Sequence, residues 1–331
     1  MSTPSTADQS QTRGQGPIVA AIIAVIAVLL GGTFWVLRDR GDAKPVEPSP
    51  SATQPTPTES TATASTSAAT ATPDPTTPPG SLPVYRISFE VSNDPASGLG
   101  LRRIWKAQSS SENLEGRVGT AVTNAMAGTD GPPIGDPWAG ATLTRATVAK
   151  DSITLHLGSV PSKRADAEVE ALAVQAAVWT AQAVVARGNL PVRFDLPDGS
   201  ELFGKPESTT YLRPPRDEQY QVLTDVWITR PAAPDGGVNA LPAGAPLTVE
   251  GEASVFEASV AWVIRADGSG TDIVTGHTMA SIGAPGRGTY AFSVPTSELE
   301  VGKTYVVTVF AGSPKDGSVI ADDSTRFRIA R

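Results

Sequence analysis

Two histidines and no cysteine limit the chemistry this chain can perform. His156 lies in Thr154-Leu155-His156-Leu157 and His277 in a separate, later stretch. A Ser–His–Asp arrangement would need one of them beside a serine, and no G-x-S-x-G elbow is present. No H-E-x-x-H, P-loop, dinucleotide-binding glycine pattern or EF-hand loop occurs. The lack of cysteine removes disulfides, thiolate catalysis and most structural zinc sites. Both histidines therefore read as structural or surface groups. Asp322-Asp323 offers two carboxylates of the kind calcium takes, but a solvated charge pair on an edge strand is the expectation. A carboxylate pair for glycoside cleavage would meet only in three dimensions, and the acidic residues fall mainly on helix surfaces and turns. Trp105 and Trp138 have faces that stack on sugars; packing in a core or interface is expected instead. No catalytic, cofactor-binding or metal-binding residue is predicted, and the chain reads as a non-enzyme.

Glu257 is the most informative charge. It sits in the apolar run of Val255-Phe256-Glu257-Ala258, so it is expected to be partly buried, with its carboxylate capping nearby backbone N–H groups. A ligand contact is the alternative.

The elements that must position these groups begin with a membrane segment. Pro17 to Leu37 carries no charge, and about 20 apolar residues suffice to cross a bilayer core of roughly 30 Å as one helix. A cleaved signal peptide has a shorter apolar core and a small-x-small site. Here the run ends Phe34-Trp35-Val36-Leu37, followed by Arg38 and Arg40, which fits an interfacial anchor and a stop flank. A retained anchor is predicted, preceded by a short polar tail over 1–16, with the lipid bilayer as the partner of residues 17–37. Basic residues are more numerous after the span than before it, which by itself favours a cytoplasmic C-terminal side. The following segment argues the opposite. Residues 38–81 are rich in Pro, Thr, Ser and Ala, too poor in apolar surface to fold and stiffened by proline toward polyproline II. A disordered stalk of this kind, O-glycosylated or bare, suits a spacer across a cell envelope. The C-terminal domains are therefore expected to be extracytoplasmic, on a single-pass protein of the cell membrane. The net charge of −8 and the absence of a basic block after the anchor exclude nucleic acid as an expected partner.

Beyond the stalk, the pattern predicts an α+β domain over 82–206: an antiparallel-rich sheet with two helices on one face. Val84–Phe89 and Leu101–Trp105 read as strands. Ser109-Ser110-Ser111-Glu112 has capping-box spacing, with Leu114, Val118, Ala121, Val122 and Ala125 following at helical spacing. Thr142–Val148 and Ile153–Leu157 read as a hairpin. Asp166 is an N-cap for a second helix with an alanine-rich stripe, closed by Gly188. Pro191–Leu196 is a final strand. The opening strand, Leu101-Arg102-Arg103, Gly131-Pro132, the alanine-rich helix and Val192-Arg193-Phe194…Asp198-Gly199 together resemble the GerMN domain of bacterial sporulation and germination proteins.

A linker over 207–221 leads to residues 222–331. There, short strands at Asp225–Thr229, Leu247–Glu252, Ser259–Arg265, Ile273–Met279, Tyr290–Val294, Thr304–Phe310 and Ser324–Ile329 alternate with Gly/Asp turns, which argues an all-β immunoglobulin-like sandwich with Trp262 in its core. Val249 to Ala258, with Arg230-Pro231 and Phe310-Ala311-Gly312-Ser313…Asp316-Gly317-Ser318, resembles the Gmad-type immunoglobulin-like domain, a companion of GerMN. Gly251, Phe256, Glu257, Trp262 and Gly317 carry that signature as structural positions. The resemblance implies an envelope module linked to sporulation or germination, with no established catalytic residues. Many relatives are lipoproteins, whereas this chain has no lipid-acceptor cysteine. The expectation is a membrane-anchored protein with two non-catalytic binding or scaffolding domains, touching an envelope protein or peptidoglycan. The alternatives are an envelope enzyme acting on peptidoglycan or another glycan, and a purely mechanical spacer.

Overall fold

The computed structural model describes residues 78, 80–92, 94, 96–108, 112–128 and 135–331. The expected polar tail, the membrane span over 17–37, nearly all of the stalk and Gly131-Pro132 lie outside them. Among the described residues, no helix is long and apolar enough to cross a membrane.

The first half runs β1 (Ser81–Phe89), β2 (Leu99–Ala107), α1 (Leu114–Met126), β3 (Thr142–Val148), β4 (Ile153–Ser159), α2 (Ala167–Val185), β5 (Val192–Asp195) and β6 (Thr210–Tyr211). Its strands form two sheets rather than the single one expected. β1 and β2 pair antiparallel by themselves, and β3-β4-β5-β6 form the other sheet, in which β4 and β5 are parallel. The outer edges of the β1–β2 pair are already occupied. On β1, the Tyr85 N–H donates to Thr180 Oγ1 of α2 at 2.9 Å. On β2, Leu101 exchanges hydrogen bonds with Val222 (2.6 Å) and Thr224 (3.0 Å). An edge with its backbone groups satisfied this way recruits no further strand.

Helix α1 starts at Asn113, whose Oδ1 accepts the Gly116 N–H at 2.8 Å. Of the capping box expected at 109–112, Ser109 to Ser111 lie outside the described residues, and Glu112 stands before the cap, accepting from Thr120 Oγ1 at 2.9 Å. Val118, Ala121, Val122 and Ala125 turn one face of α1 into the core, as their spacing predicts. Helix α2 is buried around most of its circumference, and its alanines let α1 and β1 pack close. Asp166 occupies its N-cap without a side-chain bond. Glu170 does the local anchoring: it accepts from the Ala165 N–H at 2.9 Å and takes both forks of Arg164 at 2.6 Å. The helix ends on Ala186 in the left-handed region (φ 57°), two residues before Gly188.

The second half is a sandwich. One sheet has the order β11-β10-β13-β14-β8 and the other β12-β9-β7. The strands are β7 (Val226–Arg230), β8 (Val238–Pro242), β9 (Leu247–Ala253), β10 (Ser259–Ala266), β11 (Asp272–Met279), β12 (Gly288–Val294), β13 (Thr304–Gly312) and β14 (Val319–Ala330). All seven expected strands are present. β8 is additional and runs parallel to β14. Val249, Val260, Ile264, Val307, Val309 and Phe327 fill the space between the sheets. Trp262 is half-buried there, stacked on Phe292 with ring centroids 4.7 Å apart.

Candidate functional site

A dense polar cluster lies where the first half meets the sandwich. β1 ends at Phe89, and the next residue, Glu90, reaches across: its Oε2 accepts the Asp225 N–H at 2.9 Å, just before β7. Its carbonyl accepts the Asp322 N–H of β14 at 2.8 Å. Asp322 Oδ1 accepts the Ser92 N–H at 2.5 Å. Arg102 of β2 is the central cation. Its Nη2 donates to the carbonyls of Phe89 (3.3 Å) and Asp322 (2.6 Å), and its Nη1 lies 3.4 Å from Asp323 Oδ1. Asp323 also accepts the N–H groups of Ile228 (2.7 Å) and Ser324 (2.9 Å). Arg287, on the loop before β12, donates to the Thr224 carbonyl at 2.5 Å and lies over the Trp227 ring at 4.7 Å.

Close backbone approach makes the junction possible. A Cβ on Gly100 would lie 2.7 Å from the Thr224 nitrogen, so only glycine lets β2 and the connector meet. An aromatic and cationic stack continues the seam. Arg213 covers Trp179 at 4.1 Å, Tyr85 packs on Trp179 and Trp227, and Arg103 lies over Trp105 at 5.0 Å. Beside it, a shallow groove of about 560 Å³ is lined by Arg103, Glu250, Glu252, Met279 and Thr289.

Burial dominates the electrostatics of this seam. It raises the carboxyl of Glu90 to about 7, aided by the neighbouring Asp225 charge and opposed by the Asp225 N–H, Arg102 and Arg287. Asp225 is raised by burial against the pull of Arg287. Asp323 is raised by burial against Arg102 and the two backbone donors. The expectation of a solvated Asp322-Asp323 pair is therefore overturned. β8 pairs with β14 only over Arg326–Ala330, which leaves the edge at Asp322 for the first half to cover.

His156 belongs to a second polar cluster, on the open face of the four-stranded sheet. Cross-strand register places Arg145, His156 and Asp195 in a row. His156 Nδ1 bonds Asp195 Oδ2, and Nε2 lies 3.0 Å from Thr147 Oγ1. The imidazole holds the Asp195 carboxyl below its ordinary range. Hydroxyl, imidazole and carboxylate thus stand in the order hydrolases use. An oxyanion would also need donors, and the N–H following Thr147, that of Val148, is already taken by Glu115 at 3.1 Å. His277 is exposed on β11, in the other half. Trp105 and Trp138 are buried, as expected. Among the described residues, no three His, Asp or Glu side chains are grouped to hold a metal ion.

The signature positions divide. Gly251 is buried under Tyr290, and Gly317 takes φ 73°. Glu257 contradicts its expectation: it is exposed, not partly buried. The apolar run is a tight turn, with Glu257 and Ala258 both left-handed (φ 52° and 58°). That turn buries Val255 and Ala258 and turns Glu257 and Phe256 outward, Phe256 being 59% exposed. Sequence reasoning missed Glu90, Asp225 and Arg287. Their one signal was the Arg102-Arg103 pair inside an apolar strand, since a period of two sends such neighbours to opposite faces.

Residues 225–318 match the family model Gmad2, described as the immunoglobulin-like domain of bacterial spore germination. The match runs from the residue before β7 through the turn after β13. It links the chain to spore germination-type proteins. No curated protein matches the chain.

Proposed function

We propose that this chain is a membrane-anchored scaffold of the bacterial cell envelope, in which a GerMN-like α+β domain and the Gmad2 sandwich act together as one non-catalytic binding unit. One observation carries the reading: the seam built from Glu90, Arg102, Asp225, Arg287 and Asp322-Asp323. A buried network in which a partly satisfied charge is costly specifies one mutual orientation of the two halves. A fixed orientation serves presentation of a composite surface. Residues 17–37 would hold the unit to the bilayer and 38–81 would space it from the membrane, with an envelope protein or peptidoglycan as partner.

The second reading is an envelope hydrolase acting on peptidoglycan or another glycan, and it rests on the Thr147–His156–Asp195 chain of contacts. Incubation with purified cell wall, followed by assay of released fragments, separates the two. Retention without release supports the scaffold. Release that His156→Ala abolishes supports the hydrolase, and no retention supports a mechanical spacer. Protease added to intact cells tests the placement: digestion of the region beyond residue 81 supports an extracytoplasmic unit, and full protection overturns it.

A further inference from the structure

Five carboxylates and two guanidiniums converge on the seam. Glu90 ends β1, Asp225 precedes β7, Glu252 lies on β9, and Asp322 and Asp323 lie on β14. Arg102 on β2 and Arg287 before β12 face them. Asp322 and Asp323 have direct donors in Ser92, Ile228, Ser324 and Arg102. Glu90 and Asp225 share less. Glu90 takes one backbone N–H, from the very residue whose side chain repels it, and neither carboxylate has a direct bond to a guanidinium. Arg287 spends its Nη2 on the Thr224 carbonyl, and its Nε and Nη1 find no partner among the described residues. Negative charge at this spot thus exceeds what the two cations compensate.

We infer that the seam is a proton-dependent latch, held shut by a proton shared at Glu90 and Asp225 and loosened when that proton leaves. The elements it ties together are the end of β1, the connector before β7, and β14, so loosening frees the two halves to move about Val222–Asp225.

The sign follows from linkage. A carboxyl whose value is raised in the closed form binds its proton more tightly there than in the open form. Closure is therefore fully favoured below the ordinary carboxyl value of 4.5, and the benefit is lost as pH rises toward about 7. Asp225 and Asp323 are shifted in the same direction and reinforce it. The latch tightens in mild acid and is loosest at and above neutrality, independently of whether the unit is a scaffold.

Hydrogen exchange of the full chain in detergent, corrected for intrinsic rate, tests this between pH 5 and 8. The readouts are the amides of Leu101, Thr224, Asp225 and Asp322. Opening at these sites should rise by about tenfold or more from pH 5 to 7.5 and then level off, while amides of α2 and β10 stay flat. Glu90→Gln, a mimic of the protonated acid, should remove most of the rise, leaving only the smaller contribution of Asp225 and Asp323. Asp225→Asn should shrink the rise and move it to lower pH, and serves as the readout if Glu90→Gln fails to fold. A seam as well protected at pH 8 as at pH 5, or a rise unchanged in both variants, overturns the latch.

Discussion

Replacing Gly251 with alanine tests the packing of the sandwich more sharply than any other single change. A Cβ built there lies 2.1 Å from Tyr290 Oη, 2.2 Å from its Cζ and 2.3 Å from the Trp227 carbonyl oxygen. None of these is the loose end of a flexible side chain. Tyr290 is 3% exposed, and its hydroxyl donates to that same carbonyl at 2.9 Å. Burial keeps the hydroxyl protonated far above neutrality, so it acts as a donor at every working pH. Relief of the overlap must push the ring away from β9 or β7 away from the sheet. Overpacking costs about 1–3 kcal/mol, and a broken buried hydrogen bond with its orphaned partners costs about 1–3 kcal/mol more. The sum, ~2–6 kcal/mol, corresponds to a fall in Tm on the order of 10 °C for a folded region of this size. Thermal melting followed by circular dichroism measures it, and Tyr290→Ala should cost less in this background than in wild type, because the added Cβ already competes for the space of the ring. A Gly251→Ala protein melting within about 2 °C of wild type would refute the reasoning, because it would mean that β7 and β9 are not held this close.

Other outcomes follow from the same geometry. Arg102→Ala should destabilise the chain by ~3–5 kcal/mol in denaturant titration, because it strands Asp323 in a buried site without its cation. Ala186→Gly should stabilise it by ~0.5–1 kcal/mol, since glycine adopts the left-handed cap without a Cβ penalty. Glu257→Ala should leave stability within about 0.5 kcal/mol of wild type, as expected for an exposed carboxylate; a larger loss would restore a structural role for that side chain.

The sandwich was legible where alternation and Gly/Asp turns agreed, from Asp225 to Ile329. β8 was not, since Val238-Asn239-Ala240-Leu241-Pro242 is short, ends on proline and alternates weakly; its place is set by β14, a partner about 90 residues away. Helix α2 was legible from its apolar period, but its ending was not, because Ala186 takes a conformation that its residue type does not advertise. The start of α1 was misread since serine-x-x-glutamate spacing also occurs outside a helix, and Asn113 makes the better cap in context. Glu257 was misread for a related reason: its apolar neighbours suggested burial, while burial there follows a turn that points its side chain outward. The seam was invisible. Glu90, Asp225 and Arg287 stand at the ends of elements, outside any periodic pattern, and only the tertiary fold brings them together.

The position of β14 sets how the molecule has to be made. It lies between β13 and β8, and at Asp322 and Asp323 it also grips the first half. Translation delivers this strand after every other described one, so β8 waits with an open edge and Arg102 without Asp322 and Asp323 until those dozen residues leave the ribosome. A premature stop near residue 318 would spare the whole segment that matches the germination domain, yet it would remove the strand that joins β8 to one sheet and unfasten the other half from it. Truncations there should be far more damaging than their length implies, and a nascent chain stalled at that point is the form most exposed to aggregation and to proteases.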